Sequence, residues 1–142
     1  MKDFHNIPIV APVDFSEVAD WAVESAVELA GDPAHVTVVH VAVPIVIVEP
    51  VMVYKAADDE VRCEQLTATL TRRYADPKYK GLHFDVRVGD PGLAIVELAS
   101  EAKAGLIVMP SHGRTGLSRL LLGSVAERVV RLAHCPVLIL RR

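Results

Sequence analysis

The sequence predicts an α/β fold: one open sheet of parallel strands covered by helices on both faces. Three observations carry this. Short β-branched runs alternate with helix-period segments from end to end. The run Val36–Val41 is apolar almost without interruption, which suits a parallel strand buried on both sides and not one wetted on one face. Composition shows no break, linker or internal repeat across the 142 residues, so a single domain spanning 1–142 is expected.

The elements follow in order. Ile7–Val13 is the first strand, an apolar run with β-branched residues. Ser16 suits a helix N-cap, and Val18, Ala22, Ala26 and Leu29 form an apolar stripe behind it, stopped by Gly31-Asp32-Pro33. Val36–Val41 is the second strand. Pro44 and Pro50 make one regular element over Ala42–Ala57 improbable, although its residues are strongly apolar.

Cys63, Leu66, Leu70 and Tyr74 then recur at helical spacing, ending near Asp76-Pro77. Phe84, Val86 and Val88 alternate with Asp85 and Arg87, the pattern of a third strand nearer an edge. Asp90-Pro91 is a helix opener, and the helix is expected to run to Gly105. Leu106–Met109 is the fourth strand. Ser124–Glu127 opens the last helix, whose inner stripe is Val125, Val129 and Leu132, and Val137–Leu140 is the fifth strand.

Charge and composition narrow the function. Fifteen Lys plus Arg against eighteen Asp plus Glu give a net charge of −3, which argues against a broad basic face for nucleic acid. The longest apolar run, Val41–Val48, is eight residues and contains Pro44, far short of a membrane-spanning helix. The opening residues Met1–Asn6 lack the basic and apolar regions of a signal peptide. Cys63 and Cys135 make no CxxC or zinc spacing and read as small buried apolar groups. A reducing cytoplasm is the expected location, with no membrane and no metal cage.

In an open parallel sheet, ligands sit beyond the carboxyl ends of the strands where the strand order reverses. The richest loop there is Met109–Ser124. Its glycines allow close main-chain approach, amides at the following helix start can hold an anion, and Arg114 can add donors. A phosphate group suits that combination. A plainer reading stays open, because Ser124-x-x-Glu127 also matches a capping box and Gly113 and Gly116 also suit turns. Asp14 divides similarly between ligand contact and a turn charge. His112 reads first as a turn residue, and His40 as a hydrogen-bonded core residue. There is no GxxxxGK[ST] and no GxGxxG.

The segment resembles the nucleotide-binding signature of the universal stress protein family, G-x-x-G, nine residues, then G-[S/T]. Here Gly113 is followed by Arg114–Leu122 and then Gly123-Ser124. Ala11–Ser16, His40-Val41, Gly89–Pro91 and Cys135–Leu140 are also typical of the family. The resemblance implies a five-stranded Rossmann-like sheet of order 3-2-1-4-5, ATP or a related adenine nucleotide as ligand, and magnesium held through its phosphates. It implies adenine contacts from Asp14 and Val41, with Pro12 and Val13 lining that side. Met109 and Pro110 fall where ribose is approached. Gly113, Gly123, Ser124 and Val125 fall on the phosphates, with Arg114 and Ala126 beside them.

One departure stands out: the first glycine of the signature is Pro110. Proline has no amide hydrogen, so one main-chain donor is absent. A lost hydrogen bond costs about 0.5–1.5 kcal/mol, or about 2- to 12-fold in affinity. The expected function is therefore a nucleotide-responsive stress protein. The alternative is an interaction module of the same fold that has lost nucleotide binding through Pro110. A slow ATPase ranks third, since no base or water-positioning residue can be named. The apolar strand Val137–Leu140 would form a sheet edge, and pairing with its copy would make a homodimer. An edge shielded by Arg141 and Arg142 is the other reading. An unknown protein partner is also expected, and the apolar loop Ala42–Tyr54 could cover the core, the nucleotide or that partner.

Overall fold

The computed structural model describes residues 3–45, 55–112 and 121–141. Five strands, β1 (Ile9–Pro12), β2 (Val36–Ala42), β3 (His83–Val88), β4 (Leu106–Pro110) and β5 (Val137–Leu140), form one sheet. All neighbouring pairs are parallel, in the order β3-β2-β1-β4-β5. Four helices join them: α1 (Glu17–Ala30), α2 (Lys55–Arg73), α3 (Pro91–Glu101) and α4 (Ser124–Leu132).

Alternation along each central strand feeds two cores. Ile9 and Ala11 of β1, with Val36, Val38, Leu106 and Val108, pack against α1 and against Leu70 and Tyr74 of the α2 side. Val10, Val39, Ile107 and Met109 face the other way, onto Ile95 and Leu98 of α3 and Ala126 and Val129 of α4. Helices thus cover both faces, and β1, flanked by β2 and β4, is buried along its whole length.

Local chemistry sets most helix ends. Ser16 Oγ accepts from the Ala19 amide at 3.2 Å and starts α1; Asp90 accepts from the Leu93 amide at 2.9 Å and starts α3. Gly31 closes α1 at φ 75°, a left-handed position that glycine adopts without penalty.

Four details differ from the sequence reading. α3 stops at Glu101, short of Gly105, because Lys103 turns left-handed (φ 50°) and the Ala104 amide returns to the Ala99 carbonyl at 2.8 Å. α2 begins at Lys55, so the end of the Ala42–Ala57 stretch is helical; residues 46–54 of the Ala42–Tyr54 loop lie outside the described residues. Cys63 of α2 and Cys135, in the bend between α4 and β5, are half-buried instead of buried. Finally, Ser124 is not the N-cap of α4. Gly123 holds that position, with no side-chain capping bond among the described residues, so the capping box is not made.

The two outer strands differ in character. On β3, Arg87 lies between two acids, with Nε 2.9 Å from Asp85 and Nη2 2.6 Å from Glu101. β5 is Val-Leu-Ile-Leu, and Leu138 is 37% exposed.

Ile107 is fully buried in the core shared with α3 and α4. Ile107→Ala is expected to cost about 2–5 kcal/mol, read as a lower urea midpoint at unchanged m. A loss well under 1 kcal/mol would show that this core layer is not the one described.

Candidate functional site

The strand order reverses between β1 and β4, and there the ladder stops early: its last pair is Val10 with Ile107. The cause is chemical. Successive amides along a strand point to opposite neighbours. The Val13 amide reaches Val39 of β2 at 2.8 Å, so the alternate position, Pro12, faces β4. The Ile107 and Ser111 amides reach Pro136 and Leu140 on the β5 side, at 3.0 and 2.9 Å, so Pro110 faces β1. Both donors that would carry the ladder onward are prolines, and neither has a hydrogen to give. At those two positions the strand ends part with no amide to leave orphaned.

A cavity of about 320 Å³ opens there, within the roughly 300–1,000 Å³ of small-molecule sites. One wall is the end of β1 and the turn behind it, with Pro12, Val13 and Asp14; Val41 of β2 continues it. Met109 and Pro110 of β4 form the floor at the split. Gly123, Ser124 and Val125 bring in the start of α4. The structure therefore gathers these nine sequence-predicted residues around one space. Gly113 and Arg114 lie outside the described residues.

The α4 end of the cavity is built by close approach. The Gly123 amide donates to the Ser111 carbonyl at 2.7 Å, and a Cβ on Gly123 would lie 3.1 Å from that oxygen. It is this tight contact, and not its ordinary φ of −61°, that favours glycine here. With no side-chain cap, the first-turn amides of α4 are presented at the cavity, where the helix dipole favours an anion. Beside them, Ser111 Oγ lies 3.1 Å from His112 Nδ1, and His112 Nε2 is buried with no hydrogen-bond partner among the described residues. A buried polar nitrogen in that condition suits an oxygen-rich ligand. Both the glycine cradle and this nitrogen fit a nucleotide phosphate.

The opposite wall is held from several elements. Asp14 accepts from both the amide and the hydroxyl of Ser16, so its carboxylate shapes the turn as well as facing the cavity. His40 is half-buried at the cavity wall, not deep in the core, with Nδ1 2.8 Å from the Val13 carbonyl and its ring 4.7 Å from that of Phe15. Arg73, at the end of α2, grips Asp20 through Nε (2.8 Å) and Nη2 (2.6 Å), and Tyr74 donates to the same carboxylate at 2.7 Å. Burial works to raise the Asp20 carboxyl, but hydrogen bonds from Arg73 and Tyr74 outweigh it and hold it below its ordinary value. Burial, then the Asp20 carboxylate, pushes the Tyr74 phenol up.

Sequence reasoning did not find Pro91 and Ile95 of α3, or Ala19 and Val39, which also line the cavity. At i, i+4 spacing, Pro91 and Ile95 carry no signal beyond an ordinary apolar stripe. Among the described residues no group of His, Cys, Asp and Glu could hold a metal ion, and no helix is long and apolar enough to cross a membrane.

An open parallel sheet with its cavity at the switch point defines a doubly wound, Rossmann-like α/β protein. The model of the universal stress protein family matches residues 7–141, and the chain belongs to that family. A Bacillus subtilis universal stress protein is 31% identical over 94% of this chain and 97% of its own length. Two Methanocaldococcus jannaschii universal stress proteins match at 54% and 44% identity over shorter stretches, 36% and 34% of their own length. Among solved structures, the universal stress protein UspA of Lactobacillus plantarum superposes with a TM-score of 0.71 at 26% identity, covering 96% of this chain and 99% of that one. A universal stress protein solved in complex with cAMP shares the fold, with a TM-score of 0.66 at 23% identity and 99% coverage of each chain.

The lowered Asp20 carboxyl fixes the sign of one pH effect. Its ion pair contributes stability above the unfolded carboxyl range, near pH 3.9, and that contribution is lost as pH falls through the lower folded value. The pair is about one-third exposed, so the contribution is about 0.2–1 kcal/mol. Urea unfolding should show wild-type more stable than Asp20→Asn by that amount at pH 6, with the gap narrowing as pH falls below about 4. A gap that widens on acidification would reverse the assignment.

Proposed function

We propose that this chain binds ATP or a related adenine nucleotide in the cavity between β1 and β4, and acts as a nucleotide-responsive stress protein. The start of α4 carries the reading, because an apolar cavity of ligand size ends at a helix N-terminus that has no side-chain cap among the described residues. The base would lie against Val13, Asp14 and Val41, the ribose near Met109 and Pro110, and the phosphates on Gly123, Ser124 and Val125. Magnesium would be held through the phosphates, since the cavity offers few acids. The missing donor of Pro110 faces the gap to β1, so its cost falls near the ribose and leaves the α4 amides intact. That a universal stress protein of this fold was solved with cAMP supports an adenine ligand of this size.

Ser124→Asp separates binding from folding. A carboxylate in the first turn of α4 favours the helix through its dipole, yet it repels a phosphate at the same place. Titration calorimetry with MgATP should give a dissociation constant for wild-type and a loss of at least about tenfold in Ser124→Asp, with the melting temperature of the free protein unchanged or raised. Absence of heat from wild-type at millimolar ATP would overturn the nucleotide reading in favour of an interaction module.

We also infer a homodimer through β5. Leu138 is exposed on an outer strand of the sheet. An unpaired apolar edge of this kind is satisfied by its own copy about a two-fold axis. Light scattering should report twice the chain mass for wild-type and one chain mass for Leu138→Lys. Equal masses for the two proteins would count against pairing through this strand.

A further inference from the structure

The β1–α1 turn carries Val13 and Asp14 into the cavity, and the local bonds from Ser16 to Asp14 are not all that holds it. Phe15 sits at φ 64°, a left-handed conformation that a side chain with a Cβ rarely adopts. Such a residue persists only where its surroundings over-determine it. Here two carbonyls of the turn are held from other elements. His40 of β2 bonds the Val13 carbonyl at 2.8 Å, and Arg73 Nη2 donates to the Phe15 carbonyl at 3.0 Å. The Arg73 guanidinium also lies 5.9 Å from the centre of the Phe15 ring.

The same guanidinium bonds both Asp20 oxygens while it reaches that carbonyl, and the planar fork on Asp20 aims it there. Asp20 is fixed in turn by Tyr74, which is 5% exposed and packed edge-on against Tyr79 and stacked on Phe84. The chain of contacts runs from the α2 core, through Asp20 and Arg73, to the turn. Arg73 and Asp20 side chains are 30% and 34% exposed, where an ion pair contributes little to global stability. An arrangement this specific, with so small a share in stability, has its main effect on the turn.

We propose that the Arg73–Asp20 pair is a brace that sets the β1–α1 turn, so that both are positioning residues for the base-side wall of the cavity. The proposal rests on the nucleotide reading above and extends it to residues that do not line the site. It ties the end of α2 to ligand affinity. Lysine at position 73 would keep the charge but lose the planar fork, so it could not hold both Asp20 oxygens and the Phe15 carbonyl together.

The experiment titrates MgATP and, separately, tripolyphosphate into wild-type, Arg73→Gln, Arg73→Lys, Asp20→Asn and the Arg73→Gln/Asp20→Asn double variant. Tripolyphosphate probes the α4 end alone. Each single variant is expected to bind ATP about 2- to 12-fold more weakly, because the wall must be ordered on binding. The double variant should be no worse than either single one, as for two parts of one device. Tripolyphosphate affinity should be the same in all five proteins. Equal losses for ATP and tripolyphosphate, or rescue by Arg73→Lys, would overturn the brace. Unchanged ATP affinity in every variant would also overturn it while leaving the nucleotide reading in place. Failure of wild-type itself to bind ATP would overturn that reading and the positioning role with it.

Discussion

The structure turns on two absent hydrogens. Pro12 and Pro110 face one another across β1 and β4, and without their amides the ladder cannot pass Val10 and Ile107. Proline within a central strand ordinarily leaves a ladder acceptor unserved. Here it sits where the strands diverge, so the loss costs little and the split becomes a fixed property of the sheet. The cavity, its floor at Met109 and Pro110 and its two walls all follow from that parting.

What surrounds the split is held from a distance. On one side the Gly123 amide is pinned to the Ser111 carbonyl, which brings the start of a nine-residue helix to the end of β4. On the other, a left-handed Phe15 is kept in place from β2 and α2. Neither arrangement is locally favourable by itself. A glycine N-cap offers no side-chain bond, and a left-handed phenylalanine is strained. Both belong to the set of local conflicts that folded proteins retain around their working surfaces.

The sequence made legible whatever depends on near neighbours. Apolar runs marked four strands and alternation marked the third, and Ser16 and Asp90 marked two helix starts, because these signals act within a few residues. The resemblance to universal stress proteins supplied the strand order and gathered residues from β1, β2, β4 and α4. Where tertiary contacts decide, the reading failed. Ser124 and Glu127 have the spacing of a capping box, but the bond from Gly123 to Ser111, 12 positions earlier, sets the helix start one residue sooner in the chain than a Ser124 cap would. The end of α3 was hidden because Lys103, not glycine, makes the left-handed turn. Pro110 could be read as a missing donor, but its direction toward β1 needed the register of β4 against β5.

The two rims of the sheet differ in what they permit. β3 carries Asp85 and Arg87, with Arg87 tied to Glu101, and a charged rim of this kind resists the approach of another strand. β5 has no charge along its length. A sheet that can be extended at one rim only can join a copy of itself once and then has nowhere further to grow. For the β5 pairing proposed above, the charge on the β3 rim works against adding a third sheet edge to edge.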